Sequence, residues 1–268
     1  MLPYAATSRL GAVGEPCDLE DAAAVRALIR RVSPAVVVHC AARVPASAGV
    51  YAEPGAAEAS CSMMRNLARE ARCRIIFTSS MTVYGPTVIP PANEALTCSP
   101  DPGYATGKWM AEQILFARGM SGDVALRLPG LFGLPRRSGV LYNAAKAFLT
   151  GGDIELTETR EPWAAIAVED AADYLVRAAT RSTEAPAQAV NVAYEADYSV
   201  AAAVGLIAGF CGRAWVARTG KPATFSMTLE RLASLYGVSR VPFDGRLRQF
   251  VDDVRRDCGL QPPSTETP

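Results

Sequence analysis

Short apolar runs alternate with longer amphipathic segments along the first half of the chain. The runs at residues 35–40 and 74–79 are rich in Val and Ile, which is typical of buried strands. Between them, apolar residues recur at helical spacing through residues 58–71. Strands that are apolar almost throughout occur in parallel sheets with both faces covered, so this βαβ pattern predicts an α/β fold.

The alternation of helix and strand extends in both directions from this unit. Upstream, residues 21–31 are rich in good helix formers, and Pro34 marks the turn into the first strand. Downstream, residues 104–118 and 170–181 have the pattern of helices, and residues 124–128 have that of a strand. We therefore expect one parallel sheet with helices on both faces.

Beyond residue 135 the regular alternation ends. Loops containing Pro and Gly separate short helices and isolated strands, with candidate elements at residues 191–192, 200–210 and 245–256. We predict an α/β domain over residues 1–135 and a mixed segment over residues 136–268.

Composition excludes several classes of partner. The chain has 268 residues, half of them apolar, and 27 basic residues balance 27 acidic ones. Because the formal net charge is zero, no global field attracts nucleic acid or an anionic membrane. No apolar run approaches the ~20 residues that a bilayer-spanning helix needs. We expect neither nucleic acid nor a membrane as a partner.

Cysteine and histidine usage restricts the compartment and the chemistry. The seven cysteines are odd in number, contain no Cys-x-x-Cys pair and lie partly within apolar runs. This pattern is typical of reduced thiols and indicates a cytoplasmic protein. His39 is the single histidine, which excludes a multi-histidine site. We expect no metal cofactor.

The residues with the clearest chemical meaning lie at and after the end of the 74–79 strand. Ser80 follows this strand directly, and open α/β sheets place their sites at the carboxyl ends of strands. Tyr104 and Lys108 open the next predicted helix and lie four residues apart, on one face. A Tyr followed four residues later by a Lys is common by chance. The prediction therefore depends on the conjunction of this pair with Ser80.

Together these three residues form an acid-base unit. A phenol with a pKa of ~10 is a poor acid-base catalyst at neutral pH, but a nearby ammonium stabilises its phenolate. Lys108 supplies that charge to Tyr104, which exchanges a proton with a substrate oxygen while the Ser80 hydroxyl orients the oxygen. Such a unit suits hydride transfer between a substrate and a nicotinamide.

These segments resemble the extended short-chain dehydrogenase/reductases, in particular the NAD-dependent epimerase/dehydratase group that acts on nucleotide sugars. Further similar segments are Cys17-Asp18-Leu19, His39-Cys40-Ala41-Ala42, residues 128–133 and Val168-Glu169-Asp170. The resemblance implies a Rossmann-like, doubly wound parallel sheet that binds NAD(P). The resemblance also implies that part of the mixed segment, residues 136–268, returns to the sheet. The rest of this segment would form a small carboxy-terminal lobe that binds the substrate. A homodimer paired through the Tyr104 helix is implied as well.

By the same resemblance, the cofactor lies against the ends of several strands and the start of the Tyr104 helix. The implied contacts are Asp18, Leu19, Ala41, Ala42, Ser79, Tyr104, Lys108 and Pro129. In the family, the residue that ends the second strand distinguishes NAD from NADP. Arg9 stands there, and an arginine would bind the extra phosphate, so we favour NADP over NAD.

One family feature has no counterpart in the sequence. The family begins with a strand and a Gly-x-x-Gly-x-x-Gly turn, whose amides hold the cofactor pyrophosphate. Here Gly11 and Gly14 form the only early glycine pair, and they follow the segment that aligns with the second strand. We expect the sheet to lack its first strand and this turn, because either the true start lies upstream of Met1 or the chain is a decayed paralogue.

Substrate contacts are expected from Ser80 and Thr82, and from a loop that contains Arg136 and Arg137. The two arginines are candidates for binding phosphate, although adjacent arginines are equally typical of a solvated surface. Ser60 stands where the family usually has an asparagine that braces the active-site strand, and a serine is a weaker brace.

Other differences bear on the reaction. Many nucleotide-sugar enzymes of the family have an Arg-Asp pair and a His where this chain has Trp163, Ala164 and Ala167. A diphosphate clamp is therefore in doubt. Dehydratases of the family carry an acid directly after the catalytic Ser or Thr, whereas Met81 follows Ser80, so dehydration is disfavoured.

Three functions remain open from the sequence. The first is an NAD(P)-dependent epimerase or ketoreductase acting on a nucleotide sugar or a related hydroxy or keto substrate. The second is a non-catalytic binding protein on the same fold, for which the missing glycine turn is the best evidence. The third is a reductase of a small apolar ketone, suggested by Trp163 and the missing Arg-Asp pair.

Overall fold

The computed structural model describes residues 14–43, 54–156, 163–181, 184–195, 198–218 and 225–261. Within these ranges the helices are α1 (Ala22–Val32), α2 (Pro54–Glu70), α3 (Tyr104–Ala117), α4 (Val140–Leu149), α5 (Val168–Thr180), α6 (Val200–Phe210), α7 (Glu230–Tyr236) and α8 (Phe243–Asp257). The strands are β1 (Val36–His39), β2 (Arg74–Ser80), β3 (Val124–Leu128), β4 (Gly130–Phe132), β5 (Ala165–Ala167) and β6 (Gln188–Asn191).

Four of the strands form one sheet in the order β1-β2-β3-β6, and β4 and β5 form a second, parallel pair. β1 and β2 run parallel, with Val36 opposite Arg74 and His39 opposite Phe77. A parallel pair requires a crossover, which α2 provides. The carboxyl ends of β1 and β2 therefore lie at the same edge of the sheet. The α/β fold with a parallel sheet, predicted from the sequence, is confirmed.

Local sequence signals explain how α1 enters the first strand. The Asp21 carboxylate accepts hydrogen bonds from the amides of Ala23 and Ala24, at 2.8 and 3.2 Å, and so caps the helix. At the other end, Ser33 adopts a left-handed conformation with φ of 43°, and its amide bonds to the Ile29 carbonyl. Pro34 then prevents the helix from continuing, and the chain turns into β1.

The chain forms two compact units. The first comprises Met1–Val88, Leu96–Arg127 and Leu175–Val190, and the second comprises Ile89–Ala95, Leu128–Tyr174 and Asn191–Pro268. Each unit thus contains segments that are distant in sequence. The domains expected at residues 1–135 and 136–268 stay a prediction.

The core of the first unit lies between its sheet and helices α1 to α3. Its buried members are Val25, Met64, Leu67, Ala71, Ile75, Phe77, Ala111, Leu115 and Ala125. Burying an aliphatic or aromatic side chain of this size contributes about 2 kcal/mol. This packing places the start of α3 and the end of β2 in the same unit.

The second unit has an aromatic core. Phe132 at the end of β4 packs edge-on against Phe243 and Phe250 of α8, with ring centroids 5.9 and 5.4 Å apart. Tyr194 packs against the same Phe243 ring at 5.4 Å. Such contacts between rings contribute about 1 kcal/mol beyond area burial. They tie the short β4–β5 pair to the last helix.

The seven cysteines are all free thiols, which agrees with the reduced state expected from their number and spacing. None of the helices in the described ranges is both long and apolar enough to cross a membrane.

Candidate active site

The carboxyl end of β2 presents Ser80 at the point where the strand becomes a 3₁₀ turn, Met81–Tyr84. The Ser80 hydroxyl oxygen caps this turn by accepting from the Thr82 amide at 3.3 Å, and it also accepts from the Thr82 hydroxyl at 3.0 Å. Ser80 is half-buried, and Thr82 is exposed. The turn therefore holds the Ser80 oxygen at the end of the strand.

Helix α3 begins at Tyr104 and brings Lys108 onto the same face one turn later. Gly103 enters the helix with φ of 87°, a conformation in which a residue with a side chain would be strained. The Lys108 ammonium donates to the Thr78 carbonyl at 2.6 Å and lies 5.8 Å from the centre of the Tyr104 ring. The structure thus brings Tyr104 and Lys108 together beside the end of β2.

Lys108 is a buried cation, with 2% of its surface exposed. Burial lowers the pKa of Lys108 to about 8, and the nearby Cys40 and Glu112 side chains partly oppose this effect. Among the described side chains, no carboxylate lies within ion-pair distance of its ammonium. The charge is therefore available to an anionic or hydroxyl-bearing partner.

His39 lies beside this lysine but is a core residue. Its ring stacks on Phe77, with centroids 5.2 Å apart, and 3% of its surface is exposed. Burial, together with the charge of Lys108, lowers the pKa of His39 to about 3. His39 is thus neutral at physiological pH, which suits the core placement that single histidines usually have.

A buried hydrogen-bond network that was not predicted from the sequence lies next to the predicted trio. The Ser79 hydroxyl donates to the Glu112 carboxylate at 2.5 Å, and Arg127 donates to both oxygens of the same carboxylate at 3.0 and 2.7 Å. The Ser79 hydroxyl is thus directed to Glu112, and the cofactor contact expected of Ser79 stays a prediction. One sequence signal was available, because an arginine within the apolar strand 124–128 needs a buried acidic partner.

Helices α2 and α3 approach closely at Gly107. A Cβ atom on Gly107 would lie 2.6 Å from the Ala57 Cα and 3.2 Å from the Ala56 carbonyl oxygen. The neighbouring Ser60 hydroxyl donates to the Ala56 carbonyl of its own helix at 2.9 Å. Ser60 therefore makes a bond within α2, and the close contact of α2 with α3 depends on Gly107.

Four further residues expected at the cofactor also lie in the first unit. The Asp18 carboxylate accepts from the Glu20 amide at 2.9 Å, and Leu19 packs partly buried against the core. Ala41 and Ala42 follow the end of β1 and are half-buried. Because β1 and β2 are parallel neighbours, Ser80 at the end of β2 and these small residues after β1 lie at the same edge of the sheet. Arg9 lies outside the described residues.

Three residues expected at the cofactor or the substrate lie in the second unit, one of them buried and two exposed. Pro129 is buried between β3 and β4. Arg136 is exposed and bonds to the Ser138 hydroxyl at 3.2 Å. Arg137 forms a forked ion pair with Asp257 at the end of α8, with nitrogen to oxygen distances of 2.5 and 2.9 Å. A phosphate would have to compete with Asp257 for Arg137.

The sequence pattern of the NAD dependent epimerase/dehydratase family matches residues 4–193, which is most of the chain. The chain belongs to this family. A comparison with curated proteins gave no significant match.

Solved structures of epimerases and related enzymes share the fold of this family member. UDP-glucose 4-epimerase of Thermotoga maritima, solved with UDP-glucose, is 19% identical, with a TM-score of 0.75 over 90% of this chain and 84% of that one. RMD of Pseudomonas aeruginosa, complexed with NADPH, is 18% identical, with a TM-score of 0.76 over 92% and 88%. WbmG of Bordetella bronchiseptica, in complex with NAD and UDP, is 17% identical, with a TM-score of 0.73 over 91% and 80%.

The places where many family members have an Arg-Asp pair and a His are apolar in this one. Trp163 is half-buried against Gly130, and Ala164 and Ala167 are buried. The Tyr194 hydroxyl accepts from the Ala167 amide at 3.2 Å and donates to the Asp170 carboxylate. This segment therefore presents no charged side chain at those three positions.

The residues of the first unit fit a nicotinamide cofactor of the kind that the family uses. The fit rests on a buried ammonium, Lys108, which has one described hydrogen bond, to the Thr78 carbonyl. A ribose hydroxyl and a phenolate are suitable further partners for such a cation. Ala41 and Ala42, which follow the end of β1, are small and half-buried.

Proposed function

We propose that this family member catalyses NAD(P)-dependent oxidation or reduction of a carbon-bound oxygen in a nucleotide sugar or a related substrate, as an epimerase or a ketoreductase. Ser80, Tyr104 and Lys108 form its acid-base unit. The observation that carries the proposal is the buried Lys108 ammonium, which lies beside Tyr104 at the end of β2.

Each of the three residues has a separate role in the proposed reaction. Tyr104 exchanges a proton with the substrate oxygen. The Lys108 ammonium stabilises the phenolate form of Tyr104, and the Ser80 hydroxyl donates a hydrogen bond to the reacting oxygen. When bound, the nicotinamide supplies or accepts the hydride. We place it against Lys108, Ala41 and Ala42.

The substrate class rests on the family and on what its structural neighbours bind. UDP-glucose is bound by the Thermotoga enzyme and UDP by WbmG. Both NAD and NADPH occur among these neighbours, so we propose NAD(P) and keep the preference for NADP as an expectation from Arg9. Dehydration is less suited to the site, because Met81 follows Ser80 where a dehydratase needs an acid.

A second candidate substrate is a small apolar ketone. Two observations favour it: Arg137 is paired with Asp257, and Trp163 is a half-buried aromatic side chain where many family members have an arginine. In that case the reduced nicotinamide would supply the hydride and the same acid-base unit would supply the proton to the ketone oxygen. No diphosphate of the substrate would need to be bound.

A substrate panel tests the proposed function. The purified chain is mixed with each nicotinamide coenzyme and with UDP- and dTDP-linked hexoses, their keto derivatives and small aryl ketones. Absorbance of the reduced coenzyme reports net oxidation or reduction, and sugar NMR reports epimerisation without net change. We expect turnover with at least one nucleotide sugar. Turnover with aryl ketones alone would favour the second candidate, and coenzyme binding without any turnover would contradict both.

The ionisation of Lys108 predicts the pH dependence of turnover. Because burial lowers the pKa of Lys108 to about 8, its ammonium loses the proton as the pH rises through that value. We expect kcat to fall over this range, since neutral Lys108 no longer stabilises the phenolate. The measurement is a pH profile of kcat. The control is Lys146→Arg, because Lys146 is exposed on α4 and its replacement should leave the profile unchanged. A kcat that stays constant as the pH rises through 8 would contradict the role of Lys108.

A further inference from the structure

The buried carboxylate of Glu112 lies one helical turn beyond Lys108 and is not itself a member of the proposed acid-base unit. We propose that Glu112 is a positioning residue: through Ser79 and Arg127 it holds helix α3 against the ends of β2 and β3, and so sets the geometry of Ser80, Tyr104 and Lys108. The inference rests on the proposed function of these three residues. Glu112 itself touches none of the reacting atoms.

Helix α3 is attached to β2 at two successive strand residues. The Lys108 ammonium donates to the Thr78 carbonyl at 2.6 Å, and the Ser79 hydroxyl donates to the Glu112 carboxylate at 2.5 Å. Lys108 and Glu112 are one turn apart on the helix, and Ser80 follows Ser79 directly. A shift of α3 along β2 would therefore break both bonds and move Tyr104 relative to Ser80.

Arg127 extends the attachment to β3 and to the turn after Ser80. Its guanidinium forms a bidentate pair with Glu112 at 3.0 and 2.7 Å, and its centre lies 4.7 Å from the centre of the Tyr84 ring. Tyr84 closes the 3₁₀ turn that Ser80 caps. One carboxylate thus links the helix that carries Tyr104 with the strand and the turn that hold Ser80.

The ion pair of Glu112 and Arg127 is almost fully buried, which is an unusual way to stabilise a protein core. The side chain of Glu112 has no exposed surface, and that of Arg127 has 5%. Removing both charges from water is costly, and apolar residues of similar size often stabilise a fold as well or better. By contrast, a bidentate ion pair with an added hydroxyl fixes distances and angles, which apolar packing does not. Its place beside the trio is what a positioning role requires.

The test separates positioning from stability with a double variant. Glu112→Leu with Arg127→Met removes both charges and keeps the volume, so the fold should keep or regain its stability. If Glu112 positions the site, kcat of this folded variant falls about tenfold or more while KM changes little. Ser79→Ala provides a milder variant that leaves the ion pair intact, with an expected loss in kcat of about threefold or more. Glu70→Gln, which removes a half-buried carboxylate that is paired with the exposed Arg26 and takes no part in the trio's network, is the control and should leave kcat unchanged.

A spectroscopic signature of Lys108 gives a readout that needs no substrate. The chain contains three lysines, Lys108, Lys146 and Lys221, so isotope-labelled lysine gives few NMR signals, and Lys108→Arg assigns one of them. The protons of a buried, hydrogen-bonded ammonium exchange slowly with water and are visible. We expect this signal in the unmodified chain and in Glu70→Gln, and its loss in the folded double variant.

Two results would overturn the positioning role: a double variant whose kcat stays within about twofold of the unmodified chain, or one that keeps the slow Lys108 ammonium signal. If the double variant does not fold, Ser79→Ala decides by the same two measurements. Should the unmodified chain turn over no substrate, the proposed function fails, while the Lys108 signal still tests the attachment of α3.

Discussion

Replacing Tyr104 by Phe is expected to lower kcat by about a thousandfold, the scale on which general acid-base catalysis usually contributes. The substitution removes the hydroxyl and keeps the half-buried ring, so the packing at the start of α3 is preserved. Lys108 would still donate to the Thr78 carbonyl, because that bond does not involve the phenol. The loss should therefore appear in kcat, with the free energy of unfolding nearly unchanged.

The measurement is steady-state kinetics on the best substrate of the panel, together with urea denaturation. Tyr174→Phe is the matched control, because it also removes a tyrosine hydroxyl, one that donates to the Gly237 carbonyl at 3.3 Å in the second unit. It should cost about 1 kcal/mol of stability and leave kcat unchanged. A Tyr104→Phe enzyme with kcat within about tenfold of the unmodified chain would show that another group moves the proton.

The second large effect is expected from Gly107→Ala. In the interior of a helix, this change normally stabilises by about 1 kcal/mol. At Gly107 the new methyl group would lie 2.6 Å from the Ala57 Cα, and backbone at that distance cannot move aside as a flexible side chain does. We expect overpacking to outweigh the gain in helix propensity and to destabilise the first unit by about 1–3 kcal/mol.

This substitution should also affect the reaction, because Gly107 lies directly before Lys108. Displacing α3 from α2 moves Tyr104 and Lys108 relative to β2, and such a shift costs about tenfold or more in kcat. Urea denaturation and kinetics measure the two effects.

The control for Gly107→Ala is the same substitution at Gly205 in α6. Among the described residues, no atom outside the adjoining stretch of its own helix lies within 4 Å of the position where its Cβ would be, so Gly205→Ala should stabilise the protein by about 0.5–1 kcal/mol. Equal effects of the two substitutions would mean that the close approach of α2 and α3 does not limit the packing.

Local pattern was enough to locate much of the fold. The strand predicted at residues 124–128 has the bounds of β3, and the helix predicted at residues 104–118 differs from α3 by one residue. The pairing of β4 with β5 was not predicted from the sequence, because a strand of three residues is too short to show a hydrophobic periodicity. Helices α4 and α7 were missed within a segment whose loops obscure its periodicity.

In the candidate site, too, local sequence features predicted some residues and missed the contacts between distant ones. Ser80, Tyr104 and Lys108 were identifiable because a strand end and an i,i+4 spacing are local features, and the structure brings Tyr104 and Lys108 together as that spacing implies. Arg137 was expected at the substrate, but its partner Asp257 lies 120 residues away along the chain. No local pattern indicates such a pair.

By itself, the sequence determined the α/β class, the family resemblance and the trio that could move a proton. Only the tertiary structure decided that Lys108 is buried without a described carboxylate partner, and that Ser79 and Arg127 converge on Glu112 from 33 and 15 residues away. The physical reason is that periodicity and spacing record contacts within one helix or strand. Burial and charge pairing depend instead on which elements the folded chain places side by side.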